Sequence, residues 1–422
     1  MAPVTQEVRP AGRLRSLVAG NVAARLGALA ALAVATVMVA RAGGPSLVGA
    51  FTLLRVLPGL AGVLAAAGLP GAAPYFLAGR SADPRLRPTL SLLTVLGATA
   101  AALGWLALTP VLHLLFFRPW GTSLVLVAGV AVFSQLFVAA GKAMLQGQHD
   151  LRGANVAMVA EEASFLPVYL VLLPFGHGST VLVVALVVAD LAVALAIGER
   201  LRRVGFFKGW GRPSVRLGRE IAVYGMRGQL GGLLSLVNLR LDVAILGALA
   251  GPAVLGVYAI ASKYAELLRL PGLAVTYVMY PSFARDGNRD ARARTRALLG
   301  PAAWLTAAAA VPLGLAAGFV LPLVYGHDFA GAALPAWILL AGLVGESVTG
   351  LITAYLYGVA RPGLNSLAIG AGVVVTVIGD LTLIPPYGAV GAAIASAVAY
   401  LTTCATLLTC FLRMRPATEV TT

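Results

Sequence analysis

Charge is scarce in this chain. Only 11% of its 422 residues are Asp, Glu, Lys or Arg, against about 25% in a soluble domain, which excludes an ordinary water-exposed surface. Cysteine is scarcer still. Cys404 and Cys410 are the two present; six apart in one apolar segment, they do not share a helix face, and they suggest neither a disulfide framework nor a metal site. Aromatic residues are sparse at 7% and dispersed. No G-x-x-x-x-G-K-[ST] segment occurs, so no P-loop drives the protein, and no H-E-x-x-H occurs either. His113, His149, His177 and His327 all fall at loops or segment ends, as solvated polar residues would. Nothing here points to an enzyme, and no cofactor is implied.

What is present is apolar: 59% of the residues are hydrophobic, in runs that exceed the roughly 20 residues needed to cross a bilayer. The pattern predicts an all-α polytopic membrane protein of twelve spans, near 17–40, 46–79, 89–112, 121–145, 154–174, 180–199, 221–248, 253–284, 298–324, 331–357, 364–384 and 387–412. The net charge of +15 would suggest nucleic acid in a soluble chain; here it reads as positive-inside loops, with no nucleic-acid partner. With the N-terminus inside, 23 of the 31 basic residues fall in inside loops, and Arg41 and Arg118 alone fall outside. That asymmetry predicts both termini in the cytoplasm and a multi-pass protein of the inner (plasma) membrane. Arg9, Arg13 and Arg15 precede an apolar run too long for a signal-peptide core, so the first span is expected to stay uncleaved.

One segment occurs twice. Gly44-Pro45 to Phe51 and Gly251-Pro252 to Tyr258 both read G-P-x-x-x-G-x-[F/Y], 207 positions apart. Pro74 and Phe76 recur as Pro281 and Phe283, Leu145-Gln-Gly147 matches Leu356-Tyr-Gly358, and Pro174-Phe-Gly176 matches Pro386-Tyr-Gly388. Gly and Pro carry these matches, and they fix backbone geometry. Each copy holds six spans, so both enter the membrane from the same side. The expected architecture is two parallel six-helix bundles related by a pseudo-twofold axis: 1–203, a basic cytoplasmic linker at 204–219, and 220–422. Such halves suit a carrier that alternates access to a midplane site.

Ionisable residues inside spans are costly and face a bundle interior or a cavity. Arg25 and Arg55 have no acid in their own spans, and span one has none at all. Guanidinium suits phosphate, so Arg25, Arg55, Arg269 and Lys263 are candidate ligands for a phosphate-bearing substrate. Glu266, Asp242, Asp190 and Arg240 are candidates for ion coupling or for buried ion pairs that fix packing; Glu266 stands three residues from both Lys263 and Arg269 and can neutralise one of them. Glu161, Glu162 and Arg227 lie near span ends and can snorkel. Spans two and eight are overlong. Pro58 and Pro70-Gly71 are expected to interrupt the first, and Pro271-Gly272 the second; broken segments at corresponding positions point toward a binding site.

Gly251-Pro252-Ala-Val-Leu-Gly256-Val-Tyr258 with Lys263, Glu266 and Pro281, preceded by Arg240-Leu-Asp242, resembles a region of the polysaccharide and O-antigen flippases. Leu145-Gln146-Gly147 and Pro386-Tyr387-Gly388-Ala-Val-Gly391 are similar to further landmarks of that family, which belongs to the multidrug/oligosaccharidyl-lipid/polysaccharide exporters. The resemblance implies two six-helix bundles, alternating access, and export of an undecaprenyl-pyrophosphate-linked glycan to the outer leaflet through a cationic cavity, with membrane lipids and glycan-assembly enzymes as further partners. The lipid II flippase branch usually adds two spans not found here, and the drug/cation branch often relies on an acid in span one, which is absent. A major-facilitator transporter is a competing reading: Gly79-Arg-Ser-Ala-Asp83-Pro-Arg85-Leu-Arg87 is similar to its loop motif, but Pro84 and Leu86 depart from it. A scaffold recruiting enzymes through the 200–219 stretch is the alternative without transport.

Overall fold

The computed structural model describes residues 11–80, 82–270, 288–359 and 361–414, and every regular element among them is helical. In lipid each backbone N–H and C=O needs a partner within its own segment, and long apolar runs meet that need as helices. The elements are α1 (Ala11–Ala65), α2 (Leu69–Gly79), α3 (Leu86–Phe116), α4 (Thr122–Gly147), α5 (Leu151–Ala163), α6 (Phe165–Leu172), α7 (Ser179–Arg203), α8 (Val215–Ala265), α9 (Asn288–Tyr325), α10 (Ala333–Leu343), α11 (Glu346–Gly358) and α12 (Pro362–Arg413). Eight helices among the described residues are long and apolar enough to cross a membrane, and the bent pair His327–Leu343 and Glu346–Gly358 makes a ninth.

Three of the long helices each contain a glycine break. α1 turns at Gly43-Gly44, α8 at Gly251 and α12 at Gly388. Gly44 (φ 65°, ψ −161°) and Gly251 (φ 81°, ψ 174°) adopt nearly the same conformation, one that a side chain disfavours. The proline after each opens the next helix, where its missing N–H costs nothing. The duplicated Gly-Pro thus makes the same turn twice. Resolving α1, α8 and α12 at their breaks divides the nine into twelve helical segments among the described residues; positions 271–284 of span eight lie outside them.

Span two breaks, though not at Pro58. Helix α1 continues through Pro58 to Ala65, and the chain turns at Ala66–Gly68, where Ala67 (φ 46°) and Gly68 (φ 77°) are left-handed. Pro58 removes one backbone bond without requiring positive φ, so the helix survives it; Pro70 falls in the first turn of α2, where proline is favoured. Pro271-Gly272 and the landmarks Pro281 and Phe283 lie outside the described residues.

The chain forms two compact units. The first comprises the described parts of Met1–Met38, Leu57–His113 and Arg118–Leu230. Its α4 packs on α2, α5 and α7 around Phe76, Leu77, Leu145, Ile197 and Phe206. Gly147 lets α4 meet α2: a Cβ there would come within 2.6 Å of Leu77 Cδ1 and 3.1 Å of Pro74 Cα. The start of α8 is fastened to α2 by close backbone approach of Gly68 and Gly225, by Tyr75 and Tyr224 stacked at 4.5 Å, and by two hydrogen bonds that Arg80 donates to Glu220 at 2.7 and 3.0 Å. Arg87 donates to the carbonyls of Gly205 and Lys208. Arg80 and Arg87 therefore tether this unit internally. The second unit comprises the described parts of Val39–Val56, Leu114–Phe117 and Gly231–Thr422. There α12 packs on α10 and α11, and α9 packs on the same two helices.

Asp150 caps α5 by accepting from Gly153 N–H at 3.0 Å, and it receives the Arg200 guanidinium at 2.7 and 3.1 Å. The Arg200 hydrogen bonds hold its carboxyl below the usual carboxylate range. A depressed carboxylate stabilises the fold above the unfolded pKa and loses that contribution as pH falls through the folded one. Asp150→Asn is therefore expected to lower thermal stability in detergent at pH 7 by about 1 kcal/mol, a modest figure because the pair is partly solvated. The difference from wild type should shrink as the pH is taken below 4.

Candidate functional site

Within the second unit, the Pro45–Phe51 stretch of α1 crosses the Pro252–Tyr258 stretch of α8, and the contact is reciprocal. A Cβ on Gly49 would overlap the Pro252 carbonyl, 2.6 Å from its carbon and 2.9 Å from Pro252 Cα. A Cβ on Gly256 would overlap the Pro45 carbonyl, 2.7 Å from its carbon and 3.1 Å from Gly49 N. Glycine at both positions is what lets two backbones touch, as small residues do between membrane helices. The crossing positions the aromatic residue two places after each glycine, and Phe51 and Tyr258 are both fully buried.

These two rings organise different chemistry. Arg55, one turn beyond Phe51, places its guanidinium 5.4 Å from the Phe51 ring centroid, and Lys263 brings its ammonium to 5.6 Å from the same ring. Two cations, one from each copy of the repeat, thus converge on one aromatic residue. Tyr258 carries the hydroxyl that Phe51 lacks, and donates it to Asp242. Val243 N–H donates to the same carboxylate at 2.7 Å, and Ser396 Oγ lies 3.0 Å from the Tyr258 hydroxyl and 3.5 Å from Asp242 Oδ2. Arg240, Glu266 and Asp380 are within electrostatic reach of Asp242. Asp380 is fully buried, and neither of its carboxylate oxygens has a hydrogen-bond partner among the described residues. Tyr258→Phe is expected to cost about 1–3 kcal/mol by removing a donor from the buried Asp242, read as a fall in the thermal midpoint while helical content holds.

Arg269 lies 5.4 Å over the Tyr400 ring and pairs with Glu346, Nε to Oε1 3.8 Å. Helix α8 gives way after Ala265 to a 3₁₀ turn, Glu266–Leu268, and Glu266 remains within electrostatic reach of Arg269.

In the first unit Arg25 is exposed and donates to Asn21 Oδ1 at 3.1 Å, and Asn21 donates to Asn155 Oδ1 at 3.0 Å. Asp190 accepts from Gln135 at 3.3 Å. A cavity of about 490 Å³ lies beside the turn at Ala66–Gly68, walled by Gly59, Gly62 and Tyr224 and reached by Gln135 and Glu161. Glu161 pairs with Lys142. Among the described residues, no group of three or more His, Cys, Asp or Glu is placed to hold a metal ion.

The structure thus gathers Arg55 with Lys263 on Phe51, and gathers Asp242 with Arg240, Glu266 and Asp380. Tyr400, Ser396 and Glu346 join the candidates. Phe51 and Tyr258 were visible as the repeated [F/Y]; Ser396 and Tyr400 carry no signal in an apolar span beyond their polarity.

The described residues form the long apolar helices of a multi-pass membrane protein, and their fold is shared with solved transporters. The solved lipid II flippase MurJ, in an inward closed conformation, superposes with a TM-score of 0.79 over 92% of this chain and 87% of that one, at 12% identity. An inward-facing multidrug resistance MATE family transporter of the MOP superfamily superposes with a TM-score of 0.70 over 92% and 94%, at 19% identity. The sequence model of the polysaccharide biosynthesis proteins matches residues 39–334, and the chain belongs to that family. The probable low-salt glycan biosynthesis flippase Agl15 of Haloferax volcanii is 23% identical over 193 residues, covering 45% of this chain and 41% of that relative, so the match spans less than half of its length.

Proposed function

We propose that this protein is a flippase that carries a polyprenyl-pyrophosphate-linked oligosaccharide from the cytoplasmic to the outer leaflet, for cell-surface polysaccharide biosynthesis. The observation that carries the reading is the pair Arg55 and Lys263 on Phe51: two cations held in a membrane interior suit a pyrophosphate. Family membership supports it, as do the names of MurJ and Agl15. Arg25 and Arg269 are the further candidate cations for the substrate. The protein sits in the inner membrane with both termini cytoplasmic, the orientation that the 23 basic residues of the inside loops favour. It catalyses no covalent step. The halves 1–203 and 220–422, joined by the basic linker 204–219, are the moving parts of alternating access, and glycan-assembly enzymes are its partners on the cytoplasmic side.

The driving force is electrical. An anion of charge about −2 moving outward across a 100 mV inside-negative potential gains roughly 4–5 kcal/mol. Asp242, with Asp380 and Glu266 near it, is the site where a proton or sodium ion would couple, and Asp190 with Gln135 is the corresponding candidate in the first unit. Reconstitution tests the function: purified protein in sealed vesicles is expected to expose a polyprenyl-pyrophosphate glycan to an enzyme in the opposite compartment. Absence of that movement, together with exchange of a cationic drug for protons, would replace this reading with the multidrug antiporter one.

A further inference from the structure

Helix α5 carries a stripe of Arg152, Val156 and Ala160 at four-residue intervals, so the three stand in one line along its surface. A groove runs down each side of that line. One, of about 400 Å³, lies between α5 and α7 and is completed by Leu145, Val193 and Ile197. The other, of about 610 Å³, lies between α5 and α1 and is completed by Gly20, Ala24, Val159 and the polar side chain of Asn155. Both grooves end at Arg152 and share Val156 and Ala160. Small residues make the walls concave, and Val156 on the ridge between them is 61% exposed.

Charge is confined to one end. Arg200 borders the first groove, but its guanidinium is committed to Asp150 through two hydrogen bonds. Arg152 is exposed and makes no ion pair or hydrogen bond among the described residues. The eight residues from Arg152 to Ala160 rise about 12 Å, close to the depth of one leaflet of a roughly 30 Å hydrocarbon core. Two largely apolar channels one leaflet deep that meet at one cation match two hydrocarbon chains joined at one phosphate.

We propose that the α5 stripe is a binding site for a two-chain anionic phospholipid, which straddles α5 with one chain in each groove and its phosphate on Arg152. Basic positions at the headgroup level recognise such lipids, and guanidinium binds phosphate oxygens in a fork. The site is separate from Arg55, Lys263 and Arg269; Arg25, next to Ala24 of the second groove, donates to Asn21. A single-chain prenyl pyrophosphate would fill one groove and leave the other empty, so the paired grooves favour the phospholipid over the proposed substrate. This inference uses only the reading of the chain as a membrane protein, and it stands or falls independently of flipping.

The test is native mass spectrometry of the intact protein in detergent, titrated with phosphatidylglycerol, phosphatidylcholine or undecaprenyl pyrophosphate. Wild type is expected to retain phosphatidylglycerol in preference to phosphatidylcholine. Arg152→Ala should retain it about fivefold more weakly, while Arg152→Lys should keep most of the binding, and both variants should show wild-type helical content by circular dichroism. Val156→Trp, which fills the ridge beside both grooves and keeps the charge, should also weaken retention. Equal retention of the two phospholipids by wild type would overturn the proposal, as would unchanged phosphatidylglycerol binding by Arg152→Ala. Displacement of phosphatidylglycerol by equimolar undecaprenyl pyrophosphate, lost in Arg152→Ala, would overturn it in favour of the substrate's own lipid.

Discussion

Gly49→Ala destabilises the protein by about 3 kcal/mol, the upper end of what overpacking costs. The reason is the identity of the atoms in the way. A new Cβ would overlap the Pro252 carbonyl, a backbone group at a helix start that cannot rotate aside, whereas flexible side chains often yield. Gly256→Ala meets the Pro45 carbonyl in the same manner and should cost as much. The two contacts form one crossing, so the double variant should cost well under the sum: once the helices are forced apart, the second methyl meets little. Gly104→Ala is the control. It lies within α3, no atom stands within 4 Å of its would-be Cβ, and alanine there should stabilise by up to about 1 kcal/mol. Thermal unfolding in detergent measures all four. Equal, small effects for Gly49, Gly256 and Gly104 would mean that the crossing does not hold the second unit together.

Arg55→Ala combined with Lys263→Ala lowers the flipping rate about 100-fold while leaving the fold intact. A hydrogen bond to a charged group is worth about 1.5–3 kcal/mol, so each cation alone accounts for roughly 10- to 100-fold. Because both stand against one ring and would serve one pyrophosphate, the single losses should not multiply. Phe51→Leu tests the arrangement itself. It keeps an apolar side chain in the buried position and removes the ring face, so stability should fall modestly and flipping should fall with it, by the ~1 kcal/mol or so that each cation–π contact supplies. Arg55→Lys, which retains charge but not the fork, should recover part of the rate. A rate unchanged in the double variant would remove these two residues from the substrate path.

Backbone features were the most legible part of this molecule. Gly44-Pro45 and Gly251-Pro252 announce a turn because a positive φ strongly favours glycine and a helix start tolerates proline, and both turns occur where the repeat places them. Pro58 was misleading because proline alone removes one hydrogen bond without reversing the chain. The rotation of each helix was not legible, since it is set by neighbours that the local sequence does not name. So the cations Arg55 and Lys263 could be picked out as costly in lipid, but their meeting on Phe51 depended on a glycine-to-carbonyl contact between segments 207 residues apart. Arg269 shows the same limit. Glu266 could be named from the spacing as able to neutralise Lys263 or Arg269, whereas Glu346 stands on another helix and only folding brings it to Arg269. Asp242 could be named as a buried acid; its donors Tyr258 and Ser396 come from α8 beyond the Gly251 turn and from α12, and only folding brings them in.

The most direct measurement is the leaflet distribution of a polyprenyl-pyrophosphate-linked oligosaccharide in sealed vesicles holding the purified protein at an imposed potential. Transfer out of the compartment made negative should proceed with wild type, quicken as that potential deepens, and fall about 100-fold in the Arg55→Ala/Lys263→Ala variant. Transfer by wild type no faster than in protein-free vesicles, at any potential, would contradict the account.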